Sequence, residues 1–236
     1  MRKTEIAKYI DQIGSVTVVD LSDRFHVSVE TIRRDLKSLE TLGKVIRVHG
    51  GAVSINERDI GESFADRSKS KVNEKRLLVE QALKYISEDQ FIGLDASSSS
   101  WELAKIIPNI NCTIVTNSLD IISVLKSKFN INVISTGGRF SEKYGAFSGK
   151  IAMSTLENMS LDLSFISCVG FDYNGSVWDS NEFNCQIKQS FIGISEKVIL
   201  IADKTKLGKR SLLKICDSSE VDSIISDTDN IEAENN

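Results

Sequence analysis

Thr31, Arg33, Arg34 and Lys37 put a hydroxyl and three cations on one side of a helical stretch, because residues three and four apart face the same way. An arginine fork matches the O6 and N7 acceptors of guanine in the major groove. Ser28 and Thr31, at the helix start, suit phosphate oxygens or base edges. Lys44 and Arg47 follow closely and would add positive charge beside the same duplex. Two adjacent arginines also serve simply to solvate an exposed helix, so the residue types leave both readings open. A second group is Asp95-Ala96-Ser97-Ser98-Ser99-Ser100. Small hydroxyls and free backbone N–H groups at a helix start suit a phosphate, aided by the helix dipole, although a capped loop has the same composition. Other chemistries are poorly provided for. The histidines are His26 and His49, and Cys112, Cys168, Cys185 and Cys216 are far apart with no CxxC pair. A metal site, a disulfide framework and a histidine-based triad are therefore unsupported, and the cysteines are expected to be reduced and buried. Gly149-Lys150 lacks the upstream glycine of a nucleotide loop and is followed by Ile151. No metal and no cofactor are expected.

The elements that must position these groups follow from periodicity. Ile6, Ala7, Ile10 and Ile13 form a helical stripe that stops at Gly14. Thr17-Val18-Val19-Asp20 is a capping-box-like start for a short second helix through Leu21 and Phe25. Ser28 caps a third helix with Ile32, Leu36, Leu39 and Leu42 on one face and Gly43 as its stop. Lys44–Val48, the turn Gly50-Gly51 and Ala52-Val53-Ser54 then read as a two-stranded wing. Three helices and a wing describe a winged helix-turn-helix over residues 1–56.

Residues 57–74 are polar and are expected to be a linker, with a helix from about Glu74 to Ser87. From Gln90 the texture changes to apolar runs that end in polar or glycine turns: Phe91–Leu94, Thr113–Val115, Ile131–Ile134, Leu163–Ile166 and Val198–Ala202. Helical stretches near 99–107, 118–128 and 182–194 separate several of them. Residues 75–236 therefore predict an α/β domain with a mostly parallel sheet and a ligand site at the carboxyl ends of its strands. The tail from Thr228 to Asn236 is expected to fray. Net charge is −4 overall, but residues 1–55 carry +2 and the remainder −6, so the slight basic excess lies with the helix-turn-helix. No apolar run is long enough to span a bilayer and no signal peptide opens the chain, so a cytoplasmic protein with no membrane partner is expected.

Ser28-Val29-Glu30-Thr31-Ile32-Arg33-Arg34-Asp35-Leu36, followed by Arg47-Val48-His49-Gly50-Gly51-Ala52, closely resembles the DeoR/GlpR family of bacterial regulators. The resemblance extends over nearly the whole chain. It implies double-stranded operator DNA as a partner, bound by a homo-oligomer (dimer or tetramer), usually in repression. The expected DNA-binding set is Ser28, Thr31, Arg33, Arg34, Lys37, Lys44, Arg47 and His49, with His49 open to a second role as an anchor of the wing turn. Asp35 would repel phosphate if it faced DNA, so it is expected to be structural, paired with an arginine.

The resemblance further implies a sugar-phosphate sensor domain similar in fold to ribose-5-phosphate isomerase. Asp95, Ser97, Ser98 and Ser99 occupy the family's Asp-x-Gly-Thr-Thr-like loop, with Ser97 where glycine is usual. Thr116-Asn117-Ser118, Gly137-Gly138-Arg139, Gly170-Phe171-Asp172, Glu182 and Asp203-Lys204-Thr205-Lys206 match further family turns in order. The implied effector set is Asp95, Ser97, Ser98, Ser99, Thr116, Asn117, Gly138, Arg139, Asp172, Glu182 and Lys206, with Lys204 as the reserve for Lys206. Asp95, Asn117 and Glu182 are expected to bind sugar hydroxyls.

The leading expectation is a repressor of a carbohydrate operon controlled by a phosphorylated sugar. The rival is an isomerase- or deaminase-like enzyme with Asp95 and Glu182 as acid/base groups, which leaves the winged helix unexplained. A third reading is a regulator that activates, or whose sensor no longer binds sugar phosphate.

Overall fold

Ile6 and Ile10 bury one stripe of α1 (Arg2–Ile13), and the chain then forms a short strand, β1 (Ser15–Thr17), before turning into α2 (Val18–Phe25). Thr17 and Asp20 close a full capping box at the start of α2, and His26 ends it in the left-handed region at φ 52°. Ser28 caps α3 (Val29–Thr41), whose Ile32, Leu36 and Leu39 complete the core with Leu21, Val45 and Ala52. β2 (Val45–Val48) and β3 (Gly51–Ser54) form the wing.

Two expectations change. The sheet has three strands, ordered β1-β3-β2, because the three-residue β1 pairs with β3 before its last residue caps α2. Gly51 is required there, since a Cβ would stand 2.1 Å from the Val16 carbonyl oxygen. Ile13 and Leu42, expected on buried stripes, are 49% and 65% exposed. Ile13 is the last residue of α1 and Leu42 the residue that caps α3, where the apolar face has run past the core.

The computed structural model describes residues 2–13, 15–48, 50–54 and 61–227, and the chain divides into the units Met1–Gly61 and Glu62–Asn236. His49, residues 57–60 of the expected linker and the 228–236 tail lie outside the described residues.

The rest of the expected linker is not a linker. It contains α4 (Phe64–Lys69) and the start of α5 (Val72–Ala82), which ends in a 3-10 turn. Phe64 is buried edge-on against Trp101, with ring centroids 5.6 Å apart, so α4 packs as part of the second unit. The chain continues through β4 (Phe91–Leu94), α6 (Ser98–Ile106), β5 (Cys112–Thr116), α7 (Leu119–Leu125) and β6 (Ile131–Ser135). A hairpin of β7 (Arg139–Ser141) and β8 (Ala146–Ser148) leads to α8 (Lys150–Glu157) and β9 (Leu163–Ser167). Then come β10 (Gly170–Phe171), β11 (Ser176–Asp179), α9 (Glu182–Ile194), β12 (Val198–Ile201), β13 (Leu213–Asp217) and β14 (Ser223–Ile225).

The main sheet has six strands in the order β14-β12-β9-β4-β5-β6, and every pairing in it is parallel. Its strands read as continuous apolar runs because both faces are covered. Ile199, Phe165, Ile92 and Ile114 face Leu78, Leu103 and Ile121 of α5, α6 and α7. Leu200, Ile166 and Val115 face Ala152, Leu156 and Phe191 of α8 and α9. A separate antiparallel sheet, β10-β11-β13, packs beside α9. Among the described residues no helix is long and apolar enough to cross a membrane.

Candidate nucleic-acid interface and ligand site

α3 buries one face and leaves Arg33, Arg34 and Lys37 exposed on the other. Ser28 Oγ accepts from Thr31 N–H at 3.2 Å and lies 2.9 Å from Thr31 Oγ1, so the two hydroxyls fix the helix start together. Arg33 pairs loosely with Glu30 (3.3 Å, both exposed), and Arg47 on the wing lies 3.6 Å from Glu40. Lys44 is exposed just before β2. Asp35 is buried and accepts from Arg2 Nε at 2.8 Å, tying the start of α1 to α3 and keeping its charge away from the exposed face of α3.

The second group gathers at the carboxyl ends of the parallel strands. Asp95, 1% exposed at the end of β4, accepts from Ser97 N–H at 3.2 Å and from Ser100 Oγ at 2.6 Å. Its other oxygen accepts from Ser167 N–H at 3.0 Å, across on β9. Ser97 caps α6 by accepting from Ser100 N–H. Its φ is −90°, an ordinary extended value, so serine in place of glycine carries no backbone strain here. Ser98 and Ser99 open α6, and their hydroxyls stay out of this internal network. Behind the loop, the buried Lys188 of α9 donates to Asp179 and stands 3.7 Å from Asp95. Burial penalises its ammonium, but the Asp179 and Asp95 carboxylates outweigh that and raise its pKa.

A cluster of cations adjoins this group. Lys71 donates to Asp203 at 3.2 Å and to Thr205. Lys75 donates to the Arg67 and Ser70 carbonyls, stapling α4 to α5. Burial, reinforced by the charges of Lys206 and Arg67, pushes the Lys75 pKa down to about 8. Burial pushes the Asp203 carboxyl up, but hydrogen bonds from Thr205 and Lys71 and the Lys206 charge leave it below its ordinary value. Among the described residues, the buried side-chain atoms without a partner are Arg67 Nε and Nη2 and Asn117 Oδ1.

The DeoR-like helix-turn-helix domain matches residues 2–58, and the DeoR C terminal sensor domain matches residues 70–228. The chain belongs to the DeoR family. It is similar to the L-fucose operon activator of Haemophilus influenzae, at 41% identity over 94% of this chain and 89% of that one. The HTH-type transcriptional regulator YulB of Bacillus subtilis is 40% identical over 96% of this chain and 88% of its own length. Ribose 5-phosphate isomerase A from Methanocaldococcus jannaschii superposes at a TM-score of 0.44, with 13% identity over 58% of this chain and 55% of that one.

As a DeoR-family chain, this one is a DNA-binding transcriptional regulator, and the residues expected in its sensor site fall into distinct groups. Thr116 is fully buried and spends its hydroxyl on the Leu94 carbonyl and Ser118 N–H. Asn117, 2% exposed, donates to the Phe147 carbonyl. Gly138 has φ 107° and passes so close to β8 that a Cβ would lie 2.6 Å from the Ser148 carbonyl oxygen, while Arg139 is exposed in the hairpin. Asp172 is not drawn into the Asp95 group. Its oxygens accept from Asn174 and Ser176 N–H, Trp178 Nε1 and Arg210 Nε, so it shapes its own β10–β11 turn. Glu182 is exposed at the start of α9, accepting from Gln186. Lys206 interacts with Lys75 and Asp203, whereas the exposed Lys204 turns to Asp227.

Sequence reasoning missed Arg67, Lys71, Lys75, Asp179 and Lys188. Lys188 was findable: it stands three residues from both Cys185 and Phe191 on the buried stripe of α9. Ser63 and Asp66, three apart, form the cap that announces α4. All four cysteines are free and buried, and burial pushes the Cys168 thiol up to about 12. Among the described residues no group of three His, Cys, Asp or Glu gathers to hold a metal.

Proposed function

We propose that this regulator controls a carbohydrate operon and that a phosphorylated sugar, held at the carboxyl ends of the parallel strands, modulates its operator binding. The observation that carries the reading is the loop at the carboxyl end of β4, where Asp95 and Ser97 hold the serine-opened start of α6 in place, together with the cations that gather at Asp203 after β12. There Lys206 and Lys75 stand close enough for Lys206 to help depress the Lys75 pKa to about 8. A dianionic phosphate relieves that repulsion and finds N–H donors and the Ser98 and Ser99 hydroxyls at the helix start.

In this reading Lys206, Ser98, Ser99 and Asn117 contact the effector, and Asp95, Ser97 and Thr116 hold their loops in place. Asp172 and Glu182 are left out of the contact set, because the bonds of the first serve its own turn and the second stands in solvent. On DNA, Arg33, Arg34 and Lys37 enter the major groove with Ser28 and Thr31 at the helix start, while Lys44 and Arg47 flank it. Operator half-sites would be read by two copies related by a two-fold axis. Repression is what the sequence predicts; the name of the Haemophilus relative favours activation for this chain.

A thermal-shift panel of hexose, pentose and ketose phosphates tests the effector. At about 100 times Kd, linkage predicts about 2.7 kcal/mol of stabilisation. Gel shifts of the upstream region with and without the best binder test the coupling. A panel with no response sinks the phosphorylated-sugar reading, and turnover of any panel member would favour the enzyme instead.

A further inference from the structure

The start of α5 is built unlike the other helix starts of this chain. Thr17, Ser28, Ser63, Ser97, Ser118 and Asn181 precede their helices with extended backbone, and each side chain accepts from an N–H of the first turn. α8 lacks such a cap and begins after Gly149 at φ 85°, a value that glycine adopts freely. α5 also lacks a side-chain cap, and Lys71 precedes it in the left-handed region, at φ 50° and ψ 44°. Among the described residues the other non-glycine positions with positive φ are His26 and Asp89. His26 ends α2, where that conformation is usual, and the short polar side chain of Asp89 tolerates it. For a lysine the same backbone is disfavoured by about tenfold.

The side chain shows what holds it there. Lys71 Nζ donates to Asp203 Oδ1, 132 residues further along the chain, at 3.2 Å, and to Thr205 Oγ1. The same Asp203 oxygen accepts from Thr205 N–H at 3.0 Å and from the Thr205 hydroxyl, and so caps the 3-10 turn Lys204–Lys206 that follows β12. Asp203 is buried, and a buried carboxylate is tolerated only with such donors. The Lys71 ammonium is therefore part of the network that shapes the turn carrying Lys206. On the helix side, the Lys71 carbonyl accepts from Lys75 N–H at 3.1 Å, and the Lys75 ammonium bonds the Arg67 and Ser70 carbonyls. Residues 70–71 thus form a corner tied to α4 and α5 through Lys75, and to the strand-end turn through Lys71. α4 is the first helix after the chain leaves the N-terminal unit.

We propose that Lys71 is a latch: its bonds to Asp203 and Thr205 hold the α4–α5 corner in a backbone that lysine otherwise avoids, so that a change in the Lys204–Lys206 turn is passed to α4 and α5. Lys71 is a positioning residue, and its charge serves Asp203 rather than a bound anion. The use of the latch as a relay of ligand occupancy rests on the phosphorylated-ligand reading above.

The test follows hydrogen exchange of the full chain over residues 66–76 and 203–208, in the wild type, Lys71→Met and Lys71→Gly, with and without inorganic phosphate. Lys71→Met keeps the strained backbone and loses the latch, so both segments should exchange about tenfold faster. Lys71→Gly loses latch and strain together, so 203–208 should speed up while 66–76 stays within about twofold of the wild type. Wild-type exchange in Lys71→Met overturns the latch, and so does a corner freed as far by Lys71→Gly as by Lys71→Met. Phosphate should slow both segments in the wild type and 203–208 alone in Lys71→Met; equal protection of 66–76 in the two proteins overturns the relay. A wild type indifferent to phosphate and to the sugar-phosphate panel overturns the phosphorylated-ligand reading and the relay with it, while the two variants still decide the latch. If Lys71→Met does not fold, Lys71→Gly decides: unchanged exchange over 203–208 overturns the proposal.

Discussion

The cations of α3 stand in solvent, whereas those of the strand-end site are buried, as Lys75 and Lys188 are, or half-buried, as Lys71 and Lys206 are; in the proposed function each set serves a phosphate. Arg33 is 59% exposed as a side chain and its Glu30 partner 76%, whereas Lys188 and Asp95 are 9% and 1% exposed. Exposed cations keep their charge at every working pH, are screened by salt, and bind a polyanion by releasing its counterions. Buried cations are held by fixed acceptors, carboxylates for Lys188 and backbone carbonyls for Lys75, and shift their pKa; a site built around them suits one small anion whose shape must match. The same chemical group is therefore read by two different physical means, one graded and one selective.

The largest expected effect breaks the buried side of that contrast. Lys188→Met leaves Asp179 and Asp95 buried without their cation, and unfolding free energy should fall by about 3–5 kcal/mol. Urea melts followed by tryptophan fluorescence report it, since both Trp101 and Trp178 lie in the second unit. Arg33→Ala should move stability by less than about 0.5 kcal/mol, because exposed pairs contribute little. If both substitutions were equally mild, the distinction between the two sites would collapse.

On DNA the order reverses. Arg34→Ala or Arg33→Ala should weaken operator binding by about 1–3 kcal/mol and relax base preference at one position each, as loss of a guanine contact requires. Lys37→Ala or Lys44→Ala should weaken all sequences alike and lower the salt slope by about one. Gel shifts at several salt concentrations separate the two outcomes.

The pH response sharpens the contrast further. Lys75, with its pKa at about 8, faces Lys206, Arg67, Asp203 and Glu102, and loses its proton where exposed lysines keep theirs. Phosphate affinity should rise from pH 5 to 7 as phosphate gains its second charge (pKa about 6), then fall several-fold above pH 8 as Lys75 is neutralised. The stability contribution has the opposite sign. The folded pKa lies below the unfolded one, so the unfolded chain binds more protons between them; the burial penalty is full below pH 8 and is relieved on the way to 10.5. Calorimetric titration from pH 5 to 9.5 checks the affinity, and Lys75→Arg should remove the upper fall.

These sites differed in how far the sequence exposed them. The cap, buried stripe and exposed polar face of α3 were legible because they are local, lying within fourteen residues, Ser28–Thr41. The parallel strands were legible because burial on both faces leaves unbroken apolar runs such as Val198–Ile201. The short pieces were not. β1, β7 and β10 have two or three residues each, too few to show a period. Arg67 was hidden because α4 buries one large residue, Phe64, and otherwise reads as a polar spacer. Asp95 was singled out for its position, but its partners Ser167 and Lys188, and the Asp179 that shares Lys188 with it, come from β9, α9 and β11 and meet only in the fold.

The smallest expected effect lies on α3 itself and sets its two demands against each other. Glu30 sits in the first turn, where its charge favours the helix dipole, and it holds Arg33 at 3.3 Å. Glu30→Gln should therefore lower the stability of the N-terminal unit by about 0.3–0.5 kcal/mol. The same change frees Arg33 and, in the proposed function, removes a carboxylate from beside the DNA phosphates, so operator affinity should rise by up to about fivefold, the worth of one exposed pair. Thermal melts of the N-terminal unit's signal and gel shifts at low salt would have to move in opposite directions. If they fell together, Glu30 would be acting on DNA through the helix it stabilises, and Arg33 would not be waiting for a guanine.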